Sequence, residues 1–291
     1  MADIQKLITE LCPDGVEFKK LGEIGTFVRG NGLQKKDFTE CGVGCIHYGQ
    51  IYTYYNLFTT ETKSFVDPDL AKKLTKVEPG NLIIACTSEN MEDVCKAVAW
   101  IGEVDIVTGG HACVFKHNEN PKYISYFFQT EDFNTQKKKY ARGAKVIDIK
   151  ASDLANIVIP IPPLAVQSEI VKILDNFTEL TAELTAELTA RKKQYEYYRD
   201  ELLTFGDDVP QMRLGDTCYM KSGKSIASNQ IAQSCSNDAN IRCFGGNGVR
   251  GFVKEASHRG DYPIIGRQGA LCGNVNFASG DFYATEHAVV V

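Results

Sequence analysis

The apolar positions along this chain change period twice. From Val16 to Pro160, short apolar runs recur with the spacing of strands, at 43–48 (VGCIHY), 81–87 (NLIIACT), 97–101 (AVAWI) and 111–116 (HACVFK). A short amphipathic helix is predicted over 3–11, with Ile4, Leu7, Ile8 and Leu11 on one face, and CPDG at 12–15 reads as a turn. A second helix is predicted over 122–140. The period then becomes helical. Pro162 and Pro163 suit the entry of a helix, where a missing N–H costs nothing, and neither Gly nor Pro follows until Gly206, where a left-handed stop is expected. About 42 residues at ~1.5 Å rise make a rod of roughly 60 Å, too long for one helix of an ordinary core. Ile173, Phe177, Leu180 and Leu184 step by four, three and four, the seam of a coiled coil. Leu184 and Leu188 add a further four-residue step inside the tandem TAEL TAEL TA, a stutter that locally unwinds a supercoil. Tyr195, Tyr198 and Leu202 resume the seam. Such a seam asks for a partner helix, and no second helix as long is predicted.

After the helix the strand pattern restarts as a copy. VEFKKLGEIGTFVRGNGLQKKDF (16–38) aligns with VPQMRLGDTCYMKSGKSIASNQI (209–231), PGNLIIAC (79–86) with GDYPIIGR (260–267), and VTGGHACVF (107–115) with YATEHAVVV (283–291). His111 falls on His287. The sequence thus divides into a first strand-rich α/β domain at 1–161, the helix at 162–206, and a second copy at 207–291. That copy stops where the equivalents of 116–205 would begin, so it reads as incomplete, with its own long helix missing.

Charge changes the picture when it is counted by segment. The whole chain carries a net −5, which argues against a nucleic-acid partner. Residues 16–160 carry 18 basic and 18 acidic side chains, 161–208 carry 5 and 10, and 209–291 carry 8 and 6. The acid excess sits on the helix and the first 15 residues, which withdraws the objection. The ten cysteines contain no CxxC pair and read as free thiols of a reducing cytoplasm. Cys41, Cys45 and His47 lack the second pair a zinc site needs, so no metal is expected. No run of 18 apolar residues would span a membrane.

The segments ELCPDGVEFKKLGEI (10–24), IVIPIPPLAVQSEIVKILDNF (157–177), the TAEL tandem and ARKKQYEYYRDELL (190–203) together resemble the specificity subunit of type I restriction-modification systems. The resemblance implies a non-catalytic DNA-reading scaffold. Two target-recognition domains each read half of a bipartite double-stranded site. The helices hold them apart and dock methyltransferase subunits, which a restriction and translocation subunit joins. S-adenosylmethionine and ATP would be used by those partners, with no cofactor here. The chain departs from the family in lacking the second conserved helix. It could therefore be an inactive truncated form, a recombination cassette, or a half-subunit that self-associates through the seam. In agreement with a non-enzyme, there is no NPPF or DPPY tetrapeptide and no GxxxxGK[ST]. The one GxGxxG, at Gly246, Gly248 and Gly251, precedes FVKEA rather than a helix and suits a loop near a phosphate backbone, with Arg250 in it.

Arg, Lys, Asn and Gln are the side chains that read base edges, and Lys and Arg hold phosphates. In the first domain the Gly-framed loop supplies Arg29, Asn31, Gln34, Lys35 and Lys36, and HYGQIYTYY (47–55) adds Gln50 and several aromatics. A second basic cluster is Lys137, Lys138, Lys139, Arg142 and Lys145. In the second domain the candidates are Lys221 and Lys224, beside Ser222 and Ser225, then Arg250, Arg267 and Gln268. The repeated His111 and His287 point to a structural role. Under the resemblance the helix acts as a ruler. One added TAEL unit lengthens it by roughly 6 Å and should change the spacer between half-sites, not the bases read.

Overall fold

The computed structural model describes residues 2–291, with side chains from residue 4 onward. In chain order the elements up to the long helix are α1 (Ala2–Leu11), β1 (Phe18–Lys20), α2 (Leu21–Ile24), β2 (Gly25–Arg29), β3 (Val43–Ile46), α3 (Tyr48–Thr53), β4 (Phe58–Thr59), β5 (Ser64–Val66), α4 (Pro68–Ala71), β6 (Thr75–Val77), β7 (Leu82–Ala85), β8 (Thr87–Ser88), β9 (Ala97–Trp100), β10 (Ile106–Thr108), β11 (Ala112–His117), α5 (Pro121–Phe127), α6 (Glu131–Lys138), β12 (Ile147–Asp148), α7 (Ala151–Leu154), β13 (Val158–Pro160) and α8 (Leu164–Leu203). There follow α9 (Leu214–Thr217), β14 (Lys221–Ser222), β15 (Ile241–Gly245), β16 (Gly248–Val253), β17 (His258–Arg259), β18 (Tyr262–Gly266), β19 (Val275–Ala278), β20 (Asp281–Ala284) and β21 (Ala288–Val290). Two compact units meet in sequence at Lys193 and Gln194, inside α8.

The first unit is built on a five-stranded sheet in the order β2-β11-β7-β9-β4. Its central strands are buried on both faces, which is why they read as unbroken apolar runs. The alternation of side chains splits each run between two cores. Leu82, Ile84, Ala97, Ala99 and Phe115 pack under α5 and α6, against Ile124, Phe127 and Phe133. Ile83, Val98, Trp100 and Val114 face the other way, onto Ile46, Val77 and Ile106 of a four-stranded sheet ordered β5-β3-β10-β6.

The second unit repeats this plan. Its sheets run β14-β21-β18-β19 and β16-β15-β20-β17. The registers repeat as well. Val114 sits opposite Ile83 as Val290 sits opposite Ile264. Cys113 pairs with Arg29 as Val289 pairs with Ser222. The parallel pair Val107 and Cys45 recurs as Tyr283 and Cys243, and Ile106 with Val77 recurs as Phe282 with His258. The copies differ where β3 ends. In the first, helix α3 follows, whereas in the second β15 turns straight into β16 through Gly246 and Asn247. Gly248, at φ +97°, supplies the left-handed residue of that hairpin, so the GxGxxG glycines serve a turn. The face that α5 and α6 cover in the first unit is open in the second, where Val275 and Phe277 are exposed.

Helix α8 has 40 residues, and its first turns explain the motif found there. Gln167 is fully buried. Its Oε1 accepts from the Asn120 N–H at 3.0 Å, and its Nε2 donates to Glu119 Oε2 at 2.6 Å and to the Pro162 carbonyl at 2.8 Å. Two turns on, Asp175 accepts from Lys122 Nζ at 2.7 Å and from the Tyr126 hydroxyl at 2.8 Å. The helix is thereby fastened to α5 by polar groups before it leaves the core. Beyond this the seam is bare: Phe177 is 62% exposed, and Leu180, Leu184, Leu188, Tyr195, Tyr198 and Leu202 are also exposed, with Ile173 half-buried. The TAEL threonines donate to carbonyls four residues back, Thr181 to Phe177 and Thr185 to Thr181, both at 2.7 Å.

Three expectations are corrected. The helix expected over 122–140 is two helices, because Thr130 Oγ1 accepts from the Phe133 N–H and starts α6 afresh. Gly206 does not take a positive φ, so α8 does not end on a left-handed glycine. Lys137 is 2% exposed and points inward. Its ammonium donates to the carbonyls of Glu92, at 3.1 Å, and Val94, at 2.9 Å, closing the loop before β9, so its charge is spent in the core and not offered to a ligand. Among the described residues no helix is long and apolar enough to cross a membrane, no group of three potential ligands could hold a metal, and all ten cysteines are free thiols.

Two outcomes follow for stability. Gln167→Ala strands the Asn120 N–H and the Glu119 carboxylate, so it should cost about 1–3 kcal/mol in denaturant unfolding. An unchanged midpoint would show that the clasp is not structural. His117 gives a pH dependence. Its Nδ1 accepts from the Glu119 N–H, its Nε2 is buried without a partner, and burial holds its pKa down at about 4. An unfolded histidine titrates near about 6.5, so the unfolded chain takes the proton first as pH falls. This group's contribution is complete above about 6.5 and is lost as pH falls towards about 4. His117→Phe should flatten the thermal midpoint over that window relative to the parent; equal slopes would contradict the assignment.

Candidate nucleic-acid interface

In the first unit the chain leaves β10 through Gly109 and Gly110 and enters β11 at Ala112. Between them His111 is exposed and takes φ +66°, an uncommon conformation for a residue with a side chain. Its carbonyl accepts from the Cys86 N–H at 2.8 Å, and its Nδ1 lies 3.2 Å from Thr87 Oγ1. The ring packs on Tyr48 at 5.0 Å between centroids, and Tyr48 on His47 at 4.5 Å. Burial, helped by the charges of nearby Lys35 and His111, holds His47 below its usual pKa. Lys35 is thus close to this aromatic row. Two clefts open on either side of Thr87 and His111. One, of about 410 Å³, is bounded by Tyr48, Tyr52, Asn90 and Val146. The other, of about 270 Å³, is bounded by Arg29, Asp148 and Lys150.

The candidates from sequence separate by what they already touch. Arg29, at the end of β2, lines the smaller cleft. Gln34, Lys35 and Lys36 are exposed on the loop after it. Asn31 is engaged in holding that loop: its Nδ2 donates to the Lys73 carbonyl at 2.9 Å, and its Oδ1 accepts from Thr75 Oγ1 at 3.0 Å. Gln50 is engaged likewise, accepting from the His47 N–H at 3.0 Å and donating to Ser64 Oγ at 2.6 Å. Both therefore shape the fold around the clefts. Lys138 and Lys139 are exposed at the end of α6. Arg142 is 3.2 Å from Asp153 and brackets a loop whose Val146 lines the larger cleft and whose Lys145 is exposed. Thr87 and Lys150 escaped the sequence reading, whereas Tyr48 is among the aromatics of HYGQIYTYY noted there. The alignment of PGNLIIAC with GDYPIIGR places Thr87 opposite Gln268, and that was the signal available for it.

In the second unit Arg250, Gln268 and His287 share a cleft of about 510 Å³. His287 Nδ1 is 2.7 Å from Gln268 Oε1. Arg250 Nη2 donates to Ser228 Oγ at 3.0 Å, and Arg267 Nη1 to Ser222 Oγ at 2.7 Å. Lys221 and Lys224 are exposed, and close enough to His258 to add to the effect of burial in lowering its pKa. In the second unit a histidine, its hydrogen-bonding glutamine and a guanidinium share one concavity; in the first, His111 and Thr87 border two, with Arg29 and Lys150 in the smaller and Glu89 and Asp93 in the larger. A concave surface with positive charge and amide or hydroxyl groups suits a phosphate backbone and base edges.

A family model described as the type I restriction modification DNA specificity domain matches residues 13–191. The chain is 56% identical over 139 residues to the type I restriction enzyme EcoprrI specificity subunit of Escherichia coli, covering 45% of this chain and 35% of that protein. It is 44% identical over 121 residues to the EcoR124I/EcoR124II specificity subunit of Escherichia coli, covering 38% of this chain and 28% of that one. The matches therefore span about a third of the length of these curated relatives. The crystal structure of a type I restriction-modification system S subunit from M. genitalium shares the fold, with TM-score 0.56 at 15% identity over 94% of this chain and 72% of that one. With the model matching well over half of its residues, this chain belongs to the type I restriction-modification DNA specificity family.

Proposed function

We propose that this chain reads the sequence of double-stranded DNA for a type I restriction-modification complex and does no chemistry of its own. The observation that carries the reading is the duplication. Two units share strand order and register, yet line their clefts with different side chains. A catalytic duplication would keep its reacting groups; a pair of readers for two unlike half-sites must vary them. The exposed lysines and arginines supply the sequence-independent attraction to phosphates. The helix between the units, with its bare seam, offers methyltransferase subunits a docking face. S-adenosylmethionine and ATP are then handled by the methyltransferase and restriction subunits. The exposed seam also favours a second reading, in which two copies of the chain pair through α8 and read a palindrome.

Co-expression with the methyltransferase subunit of its system, followed by single-molecule sequencing of the modified DNA, tests this. A two-part asymmetric motif is expected, a palindromic motif favours the paired copies, and no modified motif from a soluble complex refutes both. Inserting one further TAEL unit after Leu188 should lengthen the unread spacer by about one or two base pairs, since four residues add roughly 6 Å. The bases on either side should stay the same, and an unaltered spacer would end the ruler idea.

A further inference from the structure

The repeated histidines lead beyond the family assignment. We propose that Thr87 and Gln268 are equivalent base-reading positions, one in each unit, and that His111 and His287 set them in place. This rests on the DNA-recognition reading above.

The equivalence comes from hydrogen bonding and not from sequence likeness alone. The carbonyl of His111 accepts from the N–H of Cys86, and that of His287 from the N–H of Arg267. The next residues are Thr87 and Gln268, and each meets the histidine Nδ1, at 3.2 Å and 2.7 Å. The backbone bond and the side-chain bond are therefore both repeated, while the residue that receives the histidine is not. The His287 side chain is 42% exposed and His111 is exposed. Neither ring is a core residue, so their recurrence needs a reason at the surface.

The clefts correspond as well. Thr87, Ser88, Glu89, Asn90 and His111 line the larger cleft of the first unit, and Gln268, Gly269, Ala270, Leu271 and His287, at the same places in the repeat, line that of the second. A second wall comes from the segment after β3 or β15, through Tyr48 and Tyr52 of helix α3 in one copy and Gly246 and Arg250 of the hairpin in the other, while Asp93 and Val146 line the first cleft only. An arginine also changes place between the copies. Arg29 stands where the second copy has Ser222, and Arg267 stands where the first has Cys86. One scaffold thus presents a fixed histidine, a movable cation and a variable neighbour.

The chemistry of the neighbour suggests what it reads. Gln268 gives its Oε1 to His287, which orients the amide. A glutamine amide so held can donate to N7 of adenine and accept from its N6 amino group, the pairing that distinguishes adenine in the major groove. Thr87 offers a hydroxyl and a methyl group, which suit several bases or the methyl group of thymine. The histidines are positioning residues: they restrict the rotamers of their neighbours and so sharpen a choice that a mobile side chain would blur.

The test uses the full chain with its methyltransferase subunit. DNA is selected from a random duplex pool, and preference at each base position is compared between the parent and three variants, Gln268→Thr, Thr87→Gln and His287→Asn. Gln268 is exposed and Thr87 and His287 are half-buried at the cleft rather than in a core, so the fold should be retained. Gln268→Thr should lose about tenfold of the preference for adenine at one position in one half-site. Thr87→Gln should alter one position in the other half-site only, and His287→Asn should relax the same position as Gln268→Thr. Variants that keep the parental preference at every position would overturn the proposal, as would a uniform loss of affinity without altered preference, while leaving the DNA-recognition reading intact. A parental complex that selects no motif would overturn both.

Discussion

The clasp at the foot of the long helix is the constraint on which the rest depends. A 40-residue helix with a bare apolar seam has nothing in its own sequence to set its direction. That direction is set where Gln167 and Asp175 bind α5 and the residues before it through short polar bonds. Buried polar groups are costly unless every partner is in place, so the geometry tolerates little slack. α5 in turn packs on the five-stranded sheet through Ile124 and Phe127. The start of the helix is thus rigidly referred to the unit that carries the first cleft, which is the condition for any spacer to act as a measure of distance.

The duplication shows which parts of the repeated unit physics holds constant. Strand order and register repeat almost residue for residue, because slipping a strand by one place would turn its core face to water. The strand termini and the segment between β3 and β5 carry no such penalty. There one copy builds a helix and the other a hairpin, and an arginine at the end of β2 in the first copy gives way to one just past β18 in the second, positions separated by one strand in the repeated sheet order. Surface positions next to a fixed backbone are where binding residues can vary without cost to folding.

Much of this was legible in the sequence. The strands at 43–46, 82–85, 97–100 and 112–117, the helix and the repeat all follow from apolar period and self-similarity. The helix expected over 122–140 failed because apolar spacing runs on through Thr130, while the break depends on that one hydroxyl capping a new helix. The candidate interface was less legible for a related reason. Basic side chains look alike in a sequence. Lys137 sits in a run of three lysines, but it lies on the inner face of α6 and caps two carbonyls, while its neighbours reach solvent. Asn31 and Gln50 have the chemistry of base readers and are consumed in bracing loops.

The sequence by itself determined the period of each element, the existence of two copies, the long helix and its countable repeat, and the placement of the acid excess. These are properties of order along one dimension. The tertiary structure alone decided which polar groups remain available. It turned Lys137 inward, tied Gln167 into the helix clasp, and set His111 and His287 against unlike neighbours at one repeated place. The reason is that a polar side chain's role depends on whether its hydrogen bonds are already satisfied, and its partners lie tens of residues away along the chain.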